Sequence, residues 1–415
     1  MERPFVEGNI FEEVFAEMPA GEKVRDLFES YAEKSTRFAV LVNRIDGFDK
    51  LPDGIGGGTA SGIAVSLAGV IDGLKKTHPM EWGRIDDDQF ACFCPDIDEG
   101  AALELARKIQ AGLTPSGKQT VSIGIAVYPF WPFEKAAILA NAQKALDHAA
   151  FFGPGTMTTF DAVSLNISAD KLYQYGDING AIDEFKKALA VDPENVNVLN
   201  SLGVCYGVQG QLDLAIEAFE AAIHLEPKDV MATYNLGLAH LRQGDQEKAL
   251  GLFLEAHGLD GDNPEVCCQI GMCYRDGGQA ETALDYLEKA ARNTHKGAHI
   301  FRVLADCYLE REMLHEATKA YEKAVKANPA DAESLSALGH LYGALGENME
   351  IAIVLAKEST AIEPNNGLYR YRLGKLYLQN RDHKKAAEEL KMAVNMGEDC
   401  TELLLEAQRA ADEPT

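Results

Sequence analysis

LNSLGVCYGVQGQLDLAIEAFEAAIHLEP, residues 199–227, returns further along the chain as FRVLADCYLEREMLHEATKAYEKAVKANP, residues 301–329, in a pattern whose period is 34 residues. Working outward in that register, a small residue follows a Leu or Ile at Gly203, Gly237, Gly271, Ala305, Gly339 and Gly374. An aromatic or His lies three positions later, at Tyr206, His240, Tyr274, Tyr308, Tyr342 and Tyr377. An alanine closes each copy at Ala215, Ala249, Ala283, Ala317 and Ala386, with Ala352 one place late because that copy is one residue longer. The spacing predicts two helices per unit. A small residue facing the partner helix lets the two approach closely, and each pair buries its outer apolar stripe by stacking on the next.

The pattern resembles the tetratricopeptide repeat, a helix-turn-helix unit of 34 residues. Seven units are expected over residues 162–398: a weaker first copy at 162–195 anchored by Ala181, Phe185, Ala188 and Pro193, then copies starting near 196, 230, 264, 298, 332 and 367. Residues 399–415 read as a capping helix and tail, with an apolar stripe through Leu404 and Leu405. Cys205, Cys273 and Cys307 recur at one repeat position, beside the packing residues, where a compact apolar side chain fits. Core packing is expected for them, as for Cys92 and Cys94 on one face of a strand. Cys267 and Cys268 are adjacent in a helix and do not readily face one ligand centre.

The chain has 415 residues, 46% hydrophobic and 25% charged, which excludes a disordered or collagen-like polymer. Its formal charge of −26 argues against gripping nucleic acid or an anionic bilayer. No apolar run approaches a spanning helix, and MERPFVEGNIFEEVF is unlike a secretion signal, so a cytoplasmic protein without membrane insertion is expected.

Residues 1–161 follow another grammar, with short β-like runs between helical ones. Residues 1–36 read as a helical leader, and 37–161 as a separate domain. Helices are predicted within 10–35 and over 58–76, 98–113 and 133–152; strands over 37–45, 81–94 (a pair), 120–128 and 156–160. This β-α-β-β-α-β order with an added helix and strand predicts a ferredoxin-like α+β layer fold, joined to an all-α solenoid of repeats.

Several phrases of this domain resemble the GGDEF domain of diguanylate cyclases: RIDDDQF at 84–90 its signature hairpin, TVSIGIAVYP at 120–129 a strand, and NAQKALDHAAFFGPGTMTTFD at 141–161 the closing helix and strand. In active members of that family, two carboxylates hold divalent metal under a GTP triphosphate. Aligning Asp46 with the strand-end motif puts Arg44 at the first carboxylate, and a guanidinium does not ligate Mg²⁺. Asp86 and Asp87 stand at the two hairpin glycines, Asp88 keeps the second carboxylate, and Gln89 replaces the neighbouring glutamate. Pro52 and Ser61 fall near the guanine-recognising positions, and Thr77 and Met80 break the inhibitory motif. The resemblance therefore implies a degenerate, non-catalytic cyclase-like domain with no catalytic residues, metal or cofactor. The run Gly54–Gly62 lacks the Gly-Lys-Ser/Thr ending of a P-loop and reads as a turn, with Thr59 a helix cap. The acidic groups Asp96, Asp98 and Glu99 read as a solvated turn.

In a stack of such repeats the first helix of each unit lines a concave surface. Counting the exposed stripe assigns it Asn200, Val204, Tyr234, Asn235, Leu238, Cys268, Met272, Arg275, Arg302, Asp306, Tyr371, Arg372 and Lys375. The surface is mixed, apolar at its centre and basic at its C-terminal end. It suits an extended or helical segment of another protein, with apolar anchors and an acidic end. The expected function is a non-catalytic interaction adaptor in bacterial-type signalling or assembly. Alternatives are an effector whose cyclase-like domain binds GTP or a cyclic dinucleotide, and an active diguanylate cyclase.

Overall fold

The computed structural model describes residues 14–15, 17–52, 59–113 and 119–412. It forms two compact units that divide between Glu226 and Pro227.

The first unit begins with α1 (Glu22–Lys34), β1 (Phe38–Ile45), α2 (Ala60–Lys75), the hairpin β2 (Glu81–Asp86) and β3 (Gln89–Pro95), α3 (Glu99–Leu113), β4 (Val121–Tyr128), α4 (Ile138–Ala149) and β5 (Met157–Thr159). The sheet order is β2-β3-β1-β4-β5, antiparallel except for β5 beside β4. Strands β1 to β4 with α2 and α3 thus form the ferredoxin-like arrangement that the order of elements predicts.

Period-two alternation gives the sheet two apolar faces. Ala39, Leu41 and Ile45 of β1, with Cys92 and Cys94 of β3 and Ile123 and Ile125 of β4, pack on Ile63, Leu67 and Ile71 of α2 and Leu105 and Ile109 of α3. Both of these cysteines are core residues, as expected. On the other face Phe28 of α1 meets the Phe38 and Phe93 rings. There α4 lies against β4 at Gly124, where an added Cβ would stand 2.1 Å from the Ala142 carbonyl. Thr59 caps α2, accepting from the Gly62 amide; Gly54 to Gly58 lie outside the described residues.

Seven helical hairpins follow among the described residues. Two belong to the first unit: α5 (Ala162–Gln174) with α6 (Ile178–Val191), and α7 (Val196–Val208) with α8 (Leu212–Leu225). The second unit holds α9 (Val230–Gln243) with α10 (Gln246–Leu259), α11 (Pro264–Asp276) with α12 (Ala280–Arg292), α13 (Ala298–Glu310) with α14 (Leu314–Ala327), α15 (Ala332–Leu345) with α16 (Met349–Ile362), and α17 (Gly367–Gln379) with α18 (His383–Asn395). It ends in α19 (Thr401–Asp412), whose Ala407, Leu403 and Leu404 join the core of the last hairpin while Leu405 stays 45% exposed.

The small-residue positions do what the spacing implies. A Cβ on Gly237 would sit 2.6 Å from the Phe253 ring, and one on Gly271 2.6 Å from Leu287. The aromatic position links successive hairpins: Tyr308 donates to Glu288 at 2.8 Å and Tyr342 to Glu322 at 2.7 Å.

The architecture changes at residue 161, but the sheet and the first hairpin stay together. Helix α5 packs on α4. Its Lys171 pairs with Asp147 at 2.8 Å, and Ser164 Oγ lies 3.2 Å from His148 Nδ1. On α6 the buried Glu184 pairs with Lys144 of α4 and with Lys187 at 3.1 Å. A carboxylate taken from water is tolerable only when its partners are in place, so this cluster fixes how the hairpin docks.

Candidate functional site

Two places gather the residues singled out in the sequence. In the first unit, a cleft of about 450 Å³ opens at the end of β1, lined by Arg44, Asp46, Phe48, Asp49, Asp88 and Ser122 among others. Arg44 approaches Asp147 of α4 at 4.0 Å. Asp46 is engaged structurally, accepting from Thr120 Oγ1, Ser122 Oγ and the Gly155 amide, each at 2.7 Å. It holds together the turns after β1, before β4 and before β5.

Of the hairpin positions, only Asp88 reaches this cleft. Burial raises its carboxyl above the usual carboxylate range, against the opposing pull of Arg44. Asp87 instead pairs with Arg84 at 2.7 Å, and Asp86 accepts from the Asp87 amide at 2.8 Å. Gln89 bonds to Asp88. Among the described residues no three His, Cys, Asp or Glu groups are placed to hold a metal ion.

The second place is the stripe along the first helices of the hairpins. In the first unit Asn200 and Val204 are half-buried on α7. In the second unit Asn235, Leu238, Met272, Arg275, Arg302, Asp306, Tyr371, Arg372 and Lys375 are also half-buried. Two expected positions are closed. Tyr234 packs tilted against Phe253 with ring centroids 5.7 Å apart, and Cys268 is 1% exposed within the core. Both lie where neighbouring hairpins meet, and counting within one helix does not register the neighbour's cover.

The charged positions of the second unit divide into paired and unpaired. Arg302 pairs with Glu333 and lies 3.6 Å from Asp331, both of the next hairpin. Asp306 accepts from the Tyr321 hydroxyl, and burial raises its carboxyl above its ordinary range. Arg275 lies 3.4 Å from Asp276. Arg370 is structural, donating to Glu389 at 2.7 Å and to the Pro364 carbonyl at 2.9 Å.

Arg372 donates to Ser336 at 3.2 Å, and Lys375 lies over the Tyr371 ring at 5.4 Å. Neither has a carboxylate at ion-pair distance among the described residues. Burial together with these two cations lowers His340 to about 4. Glu333, Ser336 and His340 of α15 were missed in reading the sequence, although the same stripe count on the copy starting at 332 reaches all three.

Stacked two-helix hairpins with small residues at the crossing define a helical repeat protein. The chain carries tetratricopeptide repeats: residues 206–264 and 269–332 match one family described as "Tetratricopeptide repeat", 169–210 one described as "TPR repeat", and 320–352 a further tetratricopeptide repeat family. No curated protein matches the chain. Similar solved structures include the APC/C hetero-tetramer Cut9-Hcn1, 21% identical over 52% of this chain and 43% of that one, TM-score 0.46. The chain thus spans less than half the length of that neighbour. Pseudomonas aeruginosa pilF is 20% identical over 50% of this chain and 95% of its own, TM-score 0.46. YrrB, described as a TPR protein with an unusual peptide-binding site, is 21% identical over 45% of this chain and 95% of its own, TM-score 0.36. No helix among the described residues is long and apolar enough to cross a membrane.

Proposed function

We propose that this protein is a non-catalytic interaction adaptor in signalling or assembly, with a partner segment held on the concave stripe of its repeats. Tetratricopeptide repeats generally mediate protein–protein interactions. The observation that carries the reading is the placement of Arg372 and Lys375 on the stripe, beside Ser336 and Tyr371 and with no carboxylate at ion-pair distance among the described residues, in a chain of formal charge −26. With Tyr371 and, on an earlier hairpin, Met272 as apolar surface, this end of the stripe suits an acidic segment with an apolar anchor. The test is affinity capture by the intact chain and by an Arg372→Glu/Lys375→Glu variant. Loss of a captured partner in the variant supports the reading, and equal recovery by both proteins overturns it.

The sheet domain, on this proposal, is a cyclase-like domain without the chemistry, because Arg44 stands where a metal carboxylate is needed and Asp46 is occupied in holding turns. A second reading rests on the cleft itself, where Arg44 and Ser122 face the partly buried Asp88. There the domain binds GTP or a cyclic dinucleotide and acts as a sensor. A rise in melting temperature with either ligand, without turnover and lost in Arg44→Met, favours that reading.

A further inference from the structure

The largest departure of the repeats from their own pattern lies between α12 and α13. Four of the other five connections carry Pro193, Pro227, Pro329 and Pro364, followed two residues later by Asn195, Asp229, Asp331 and Asn366 at the start of the next helix; the fifth has Gly261 at the first place and keeps Asn263 at the second. Here those places hold His295 and Gly297, and Gly297 gives α13 no side-chain cap. An acid or amide is therefore missing and a basic loop takes its place.

A cleft of about 930 Å³ opens at this point, among the end of α12, the loop, Phe301 of α13 and the second half of α14. Arg292, His295, Lys296, Lys323 and Lys326 line it, and no carboxylate does. That is notable where acidic residues outnumber basic ones 65 to 39. Only Arg292 has an ion pair among the described residues, an exposed one-turn contact with Glu288 at 4.0 Å that adds little. Phe301, 6% exposed, contributes apolar surface, with the Lys323 ammonium 5.7 Å from its ring. Favourable placement at helix C-termini accounts for Arg292 and Lys326, each in a last turn. It does not account for His295 and Lys296 in the loop, or for Lys323 a turn earlier. Like charges gathered in one cleft repel until an anion enters.

We propose that this cleft is a second docking site, separate from the concave stripe, for a short acidic segment of a partner protein that rests an apolar side chain against Phe301. Shortness follows from the charge of the whole chain. At physiological ionic strength attraction reaches about 8 Å, so it is confined to the cleft. A nucleic acid or an anionic membrane extends beyond it, onto the surface of a protein of formal charge −26, and is repelled.

The test is fluorescence anisotropy of the full chain with a short labelled peptide of glutamates around one phenylalanine. Binding is expected at low salt, weakening as salt rises. It should fall on the order of tenfold or more in Lys296→Glu/Lys323→Glu/Lys326→Glu, and persist when the same three become Arg. The three lysines are exposed, so circular dichroism should be unchanged; the corresponding Gln variant gives the same comparison without charge reversal. Because the concave stripe is itself proposed to take an acidic segment, these comparisons are made in an Arg372→Glu/Lys375→Glu background, where binding through the cleft should persist, which separates the two sites. The proposal is overturned if wild type does not bind the peptide, if the lysine variants bind it as well as wild type, or if inorganic phosphate or single-stranded RNA displaces it at equal charge concentration.

Discussion

Replacing Arg372 and Lys375 together by methionine tests the electrostatics on which the adaptor reading rests. His340 on α15 is lowered to about 4, first by burial and then by these two cations of α17, against an ordinary value of 6.5. Removing both charges should raise it, while burial, the larger cause, keeps it below 6.5. The sign for stability follows from a folded value depressed below the unfolded one. The contribution is complete above pH 6.5 and is lost as pH falls toward and through 4. At about 1.36 kcal/mol per unit the full shift corresponds to about 3 kcal/mol, reduced to about 2 because the imidazole is partly exposed to solvent. The double variant should therefore lose less stability on acidification than wild type. Proton NMR titration of the histidine ring signals, with His340→Asn to assign the resonance, reads the first quantity; denaturant midpoints across the same acid range read the second. A wild-type His340 titrating near its ordinary value, or one indifferent to loss of both cations, would refute the reasoning.

With GTP and Mg²⁺ or Mn²⁺ the purified chain should yield no cyclic di-GMP; product above a heat-killed control, abolished by Asp88→Ala, would make it an enzyme. A chain cut near residue 162 should lose hydrogen-exchange protection in α5 and α6 while α9 to α19 keep theirs, because α5 packs on α4. Unchanged protection of the first hairpin in such a fragment would show that the sheet domain contributes nothing to it. Gly237→Ala should destabilise its hairpin by about 1 to 2 kcal/mol, as the overpacking against Phe253 at 2.6 Å outweighs the helix-propensity gain. Gly251→Ala on α10, whose Cβ would meet nothing within 4 Å, should stabilise by about 0.5 to 1 kcal/mol, and equal exchange behaviour of the two variants would contradict the close approach.

The repeat was legible because each hairpin obeys one local rule. Gly237, Gly271 and the recurring alanines mark helix crossings whatever lies further away. The strand and helix order of the first 161 residues was also readable, since alternation fixes which residues of β1 and β3 face the α2 and α3 layer. What escaped depends on neighbours in other hairpins. Arg302 reads as an available cation until Asp331 and Glu333 of the following hairpin are brought beside it, and Tyr234 reads as an anchor until Phe253 and the next hairpin cover it. The docking of α5 on α4 was equally hidden, because Lys144 and Glu184 are far apart in sequence and each looks like an ordinary surface charge.

The way the two terminal hairpins are covered limits how such chains associate. A stack of hairpins ordinarily presents a raw apolar face at each end, a template on which another copy can add head to tail. In the first unit the leading hairpin meets α4 of the sheet layer, and in the second the trailing hairpin meets α19. Adding another hairpin on either of these two faces would first have to strip away a packed helix. The hairpins between keep their exposed sides for contacts with other molecules.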